Sequence, residues 1–229
     1  MADACSGYTA VSLSDKAIII AYRGTSTNFQ FIEDVWGTLY EKHVNWMAGG
    51  WVAHYFYNGF SLLWTKGMKD DFLTLLNQYP DFGIWITGHS LGATFAVLTA
   101  SYLSYTNTID KYRINLITFG EPRIGEYQFA ASINNDVPNA VRVVHAADAV
   151  ARLPSVDKHG GFYHHFTEVW YPEEMSDRAN YTVCSDAAES PNCSDSLKKK
   201  SFDDHMWYFE KEIESYGKNN CVCTKKICN

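Results

Sequence analysis

Apolar positions fall into short continuous runs separated by stretches of helical period. Ala17-Ile18-Ile19-Ile20-Ala21-Tyr22 is rich in β-branched residues and predicts a first, central strand over residues 16–22, buried on both faces. Residues 28–40 set Phe29, Ile32, Trp36 and Leu39 among polar neighbours, the spacing of a short amphipathic helix. After Gly49-Gly50, residues 51–78 keep a helical period through Phe56, Phe60, Leu63, Trp64, Met68, Phe72, Leu75 and Leu76, ending at Tyr79-Pro80. Further strands are predicted at 84–87, 114–119 and 141–145, with an uncharged helix over 91–104 and a short one over 126–133. Residues 166–171 alternate weakly, as an edge strand would, and 172–201 are polar and irregular. Trp207, Tyr208, Phe209 and Ile213 then predict an amphipathic helix behind Asp203-Asp204-His205. Strands alternating with helices imply an α/β domain with a largely parallel sheet, whose functional loops gather at the carboxyl ends of the strands. With no repeat or second domain in the pattern, residues 1–229 read as one domain with a cysteine-bearing tail at about 180–229.

At 229 residues and 46% apolar content the chain can bury a full core. A net charge of −7 argues against nucleic acid, which needs a clustered basic surface. Lys198-Lys199-Lys200 is the one dense basic run and reads as a solvated loop. No apolar stretch approaches the roughly 18 residues of a membrane span. Six cysteines and two acceptor sequons, Asn180-Tyr181-Thr182 and Asn192-Cys193-Ser194, point to an oxidising, secretory route, although the amino end lacks a signal peptide and reads as truncated. Cys184 and Cys193 are the first candidates for a disulfide because they close a short loop. Neither Cys221-Val222-Cys223 with Cys228 nor His164-His165 completes a zinc ligand set, so no metal is expected.

The chemistry concentrates at Gly88-His89-Ser90-Leu91-Gly92, which follows a buried run and opens a helix. Strand, Gly-x-Ser-x-Gly turn and helix together form a nucleophile elbow, in which a sharp turn exposes a serine hydroxyl to a base and a substrate. The serine then needs a carboxylate and a histidine, both just beyond strand ends and in the order serine, acid, histidine. Asp110 follows a helix and is therefore at the wrong edge of the sheet, whereas Glu121 and Asp148 both satisfy the geometry. Pro122 gives Glu121 the look of a structural turn, and Asp148 is favoured. Of His145, His159, His164, His165 and His205, the last lies at a loop-to-helix junction able to reach the serine and is favoured as base.

With that elbow, Asp148, His205, the segment Arg23-Gly24-Thr25 and Thr118-Phe119-Gly120-Glu121-Pro122-Arg123-Ile124-Gly125, the chain resembles the class 3, fungal-type triacylglycerol lipases, and its cysteine-bearing tail looks most like their nematode secreted members. The resemblance implies an α/β-hydrolase-type fold with a lid helix. It implies a serine carboxylester hydrolase cleaving acylglycerols at a lipid–water interface through Ser90, His205 and Asp148, without metal or organic cofactor. The oxyanion hole would be the Thr25 and Leu91 amides, and the lid and its support Phe29, Ile32, Asp34 and Trp36, with Asp34 holding the Thr25 hydroxyl in the open state. The implied partners are a lipid or other ester substrate and a transient lipid interface, with the protein secreted. A phospholipid or feruloyl-type ester on the same triad, or a catalytically silent lipid-binding homologue, are the competing functions; the sequence does not address oligomeric state.

Overall fold

The computed structural model describes residues 5–24, 37, 39–156 and 161–223. β1 (Ser6–Ser12) runs into a bend in which the Ser12 hydroxyl donates to Asp15, then pairs antiparallel with β2 (Ala17–Arg23). The run at 17–22 is thus the second strand and not the first. β1 escapes the hydrophobic pattern because Ser-Gly-Tyr-Thr-Ala-Val-Ser is half-buried at a sheet edge and carries no continuous apolar run.

β3 (His43–Asn45) and β4 (Trp51–Ala53) form a small hairpin ahead of α1 (His54–Leu63), a π-helical turn (Trp64–Met68) and α2 (Lys69–Gln78). The helix expected over 51–78 therefore starts three residues late. It is also broken at Gly67, whose φ of 142° no helix accommodates.

β5 (Gly83–His89), α3 (Leu91–Tyr105), β6 (Ile114–Phe119), α4 (Tyr127–Asp136) and β7 (Asn139–His145) follow closely the expected order. β8 (Glu168–Tyr171) and β9 (Thr182–Cys184) complete a seven-stranded sheet of order β1-β2-β5-β6-β7-β8-β9. The five strands from β2 to β8 are parallel, and β1 and β9 are antiparallel at the margins. β8 is consequently not the edge it was expected to be. Within the polar 172–201 segment, β9 covers it, and the Cys184–Cys193 disulfide anchors β9 as the short-loop reading anticipated.

α3 decides the core. Its fifteen residues carry no charge and nearly all are buried, as expected of a helix covered on every side. It packs on β2, β5 and β6 beneath α1 and α4, with Phe95, Val97 and Leu98 wholly enclosed; each such side chain contributes about 1.5–3 kcal/mol by leaving water. Two of its buried hydroxyls are satisfied across the interface, Thr99 Oγ1 with Tyr22 Oη at 2.7 Å and Ser101 Oγ accepting from Trp46 Nε1 at 2.8 Å.

Past the sheet, α5 (Asp203–Met206) leads into a two-stranded hairpin, β10 (Trp207–Tyr208) and β11 (Lys211–Glu212), and then α6 (Ile213–Lys218). The amphipathic helix expected behind His205 is instead this hairpin. Its turn residues Phe209 and Glu210 both take positive φ, 50° and 60°, the geometry that matches the twist of paired strands.

Candidate active site

Ser90 joins β5 to α3 at φ 56°, ψ −125°, a conformation that costs a non-glycine residue on the order of 1–3 kcal/mol. The surroundings enforce it. A Cβ on Gly88 would stand 2.3 Å from Gly92 O, and one on Gly92 would stand 2.3 Å from Tyr22 O, so side chains at either position would push the helix off the strands. The Ser90 amide donates to Phe119 O at the end of β6 (3.0 Å), which fixes the turn at the carboxyl edge of the sheet. Leu91 is the first residue of α3, where an amide has no partner within the helix.

Asp148 lies in the tight turn after β7, wholly buried. The same turn captures the distant segment that carries His205. Ser201 N donates to Ala147 O (2.7 Å) and Ala149 N to Ser201 O (3.0 Å). Asp204 Oδ2 then accepts from Ala147 N (2.9 Å), and His145 Nδ1 donates to Asp204 O (3.0 Å). His205, next in the chain, consequently meets Asp148, with Nδ1 at 3.0 Å from Oδ1 and 2.9 Å from Oδ2. Oδ1 also accepts from Val150 N (2.8 Å), and Oδ2 from the Tyr208 hydroxyl (2.7 Å). Gly120 leaves room for this meeting: it holds φ at +55°, and a Cβ there would lie 2.8 Å from both Asp148 Oδ2 and His205 Nδ1.

Burial opposes the charge on Asp148, but the facing His205 ring and the Tyr208 hydroxyl outweigh it and hold the pKa below the ordinary carboxylate value. Burial and the Asp148 charge push the Tyr208 phenol well upward, so it stays a donor. With Nδ1 committed to Asp148, the buried Nε2 of His205 has no hydrogen-bond partner among the described residues. A buried imidazole nitrogen in that state is uncommon, since buried polar atoms are nearly always hydrogen-bonded.

His89 links the elbow to His205. Its ring stacks on His205 at 4.4 Å between centroids and its Nε2 donates to His205 O (2.8 Å). Burial and the neighbouring His205 lower its pKa to about 3, so it remains neutral.

The structure brings together Ser90, Leu91, Asp148 and His205 at one end of the sheet. Glu121 is elsewhere engaged, accepting from Thr118 Oγ1 (2.6 Å) and His165 Nε2 (3.3 Å). His164 donates from Nδ1 to Glu189 (3.2 Å), and the basic run at 198–200 is exposed, with Lys199 O held by Arg152. Thr25, Phe29, Ile32, Asp34 and Trp36 lie outside the described residues, as does His159. Tyr208 and His89 stand beside this group without a motif that marks them as site residues. The bonds that matter for Tyr208 span 60 residues and leave no local signal.

The family model for class 3 lipases matches residues 19–158. The chain belongs to the class 3 lipase family. Lipase ZK262.3 of Caenorhabditis elegans is 33% identical over 246 residues, covering 95% of this chain and 68% of that protein. A lipase of Rhizomucor miehei is 29% identical, covering 92% of this chain, which spans 55% of that lipase's length. Among solved structures, the lipase of Rhizopus microsporus var. chinensis superposes with a TM-score of 0.83 at 26% identity, over 95% of this chain and 72% of its own. A triacylglycerol lipase whose catalytic centre is described as a serine protease triad gives 0.82 at 28% identity, over 92% of this chain and 77% of its own. This class 3 lipase chain has the α/β-hydrolase fold that its motifs implied. No group of three or more potential ligands that could hold a metal ion occurs among the described residues.

Proposed function

We propose that the chain is a secreted serine carboxylester hydrolase that cleaves acylglycerol esters at a lipid–water interface. One observation carries the reading most: a buried histidine clamped by a buried aspartate through Nδ1, with Nε2 unpartnered among the described residues, beside a serine held in a nucleophile elbow. In this reading Ser90 Oγ attacks the ester carbonyl and His205 Nε2 takes its proton. Asp148 fixes the imidazole tautomer and stabilises the imidazolium. His205 then protonates the departing glycerol oxygen, and water repeats the sequence on the acyl-enzyme.

The tetrahedral oxyanion would lie between the Leu91 and Thr25 amides, where each donor supplies on the order of 10²–10³ in rate. Leu91 is supported by its place at the start of α3. Thr25 is supported by its chain neighbour Gly24, which packs on the elbow: a Cβ there would stand 2.7 Å from His89 O. The lid assignment of Phe29, Ile32, Asp34 and Trp36 rests on the family likeness and the spacing of their residues.

The test is hydrolysis of a triolein emulsion and of a soluble short-chain ester by the folded, oxidised protein, with Ser90→Ala as control. Hydrolysis that rises above substrate solubility and vanishes in the control is the expected result. Hydrolysis of the soluble ester alone would make the chain an esterase without interfacial activation. Silence on both substrates from a folded sample would contradict the reading and favour a lipid-binding homologue.

A further inference from the structure

The two acceptor sequons lie on either side of β9, and their surroundings differ sharply. Asn180, Tyr181 and Thr182 are all exposed in the extended approach to the strand. The acceptor carboxamide and the hydroxyl two residues on, which together define the sequon, are both within reach of a modifying enzyme. At the second sequon only Asn192 is exposed. Cys193 is fully buried in its disulfide with Cys184, and Ser194 is buried, its amide donating to Glu168 Oε1 (3.0 Å) and its carbonyl accepting from Arg152. Closing the disulfide between Cys184 and Cys193, nine positions apart, takes this sequon out of reach.

β9 is also the last strand of its sheet, and its outward face is apolar: Val183 is 53% exposed and the adjoining Tyr181 57%. An uncovered edge strand of that kind invites pairing with another chain, and proteins cover such edges with charge, bulges or bulk.

We propose that Asn180 carries an N-linked glycan that covers the β9 edge, whereas Asn192 stays bare. In the transfer, Asn180 Nδ2 bonds to the anomeric carbon of an oligosaccharide carried on a lipid diphosphate. The carbon–oxygen bond to the diphosphate breaks, the diphosphate leaves with the electron pair, and one amide proton passes to base. The glycan then stands two residues ahead of the exposed strand and blocks lateral approach to it. The inference rests on the secretory-route reading and is independent of the hydrolase reading.

The test expresses the full chain behind a grafted secretion signal in a eukaryotic host and isolates protein in which Cys184 and Cys193 are bonded. Glycans are removed by amidase in heavy-oxygen water, which marks each formerly occupied asparagine. The expected result is a mark at residue 180 and none at 192, with one glycan mass lost in Asn180→Gln and none in Asn192→Gln. Removal of glycan from the folded wild-type protein is expected to increase self-association in sedimentation while hydrolysis of a soluble ester is unchanged, and this arm does not depend on the variant folding. No mark at 180, a mark at 192, or self-association unaltered by glycan removal would overturn the proposal. Absent hydrolysis with Asn180 occupied would count against the hydrolase reading alone.

Discussion

Two buried carboxylate–imidazole pairs stand beyond the carboxyl ends of neighbouring strands, Asp148 with His205 after β7 and Glu121 with His165 after β6. Both carboxylates are enclosed, and in both cases favourable partners outweigh burial and hold the pKa low. The difference is at the far side of each imidazole. The second nitrogen of His165 lies against Phe166 O, and its pair is tied further into Thr118 and Arg142, whose Nε donates to His165 O (2.9 Å). His205 leaves Nε2 without a partner among the described residues, next to the elbow. A carboxylate–histidine pair alone therefore does not mark a base; in the proposed reading His205 is set apart by an imidazole nitrogen left open beside a strained serine.

The contrast makes opposite expectations for the two histidines. His205→Ala should reduce ester hydrolysis by on the order of 10⁴–10⁶ with a near-native circular dichroism spectrum. His165→Ala should cost about 3 kcal/mol in urea unfolding, because Glu121 loses a donor in a buried site, with activity per folded molecule largely kept. A folded His165→Ala protein without activity, or an active His205→Ala protein, would erase the distinction.

Gly120→Ala sharpens it from the other side. The added Cβ cannot coexist with Asp148 Oδ2 and His205 Nδ1 at 2.8 Å, and the left-handed φ disfavours alanine as well. Turnover should fall by roughly 10²-fold or more, the scale of a misplaced catalytic group, with KM for a soluble ester little changed. Tyr208→Phe is gentler. It removes one of the bonds to Asp148 at a cost of about 1.5–3 kcal/mol, so kcat should fall by roughly 10–100-fold and the acid limb of the pH–rate profile should move.

The smallest effect is on stability against pH. Asp148 and Glu121, with lowered pKa values, contribute stability above the ordinary carboxylate range and lose it as pH falls through the depressed folded values. His89, at about 3, and His164, also lowered by burial, bind fewer protons folded than unfolded. Stability should therefore decline as pH drops below about 6.5. Urea midpoints measured from pH 7 to 4 should fall steadily, and less steeply in His89→Phe.

What the sequence discloses of this arrangement follows the range of each interaction. The elbow is legible because strand, glycines and helix start are contiguous, and Asp148 because a strand end fixes its edge of the sheet. His205 is reached only by comparing five histidines, and the segment after it is misread. Trp207, Tyr208, Phe209 and Ile213 mimic a helical stripe, and nothing local announces that Phe209 and Glu210 adopt positive φ. His165 lies 44 residues from Glu121 and Tyr208 60 residues from Asp148, so the distant partner of neither carboxylate can be read from spacing. β1 and β9 are short or half-polar margins whose strand character comes from pairing more than from pattern.

The most direct test of the central claim is covalent capture of the nucleophile by an alkyl phosphonate ester, read by peptide mass spectrometry. A single adduct on Ser90, formed by the wild-type protein and lost in His205→Ala, is the expected result. An adduct on another residue, or none on a folded sample, would contradict the assignment of Ser90 and His205 as nucleophile and base.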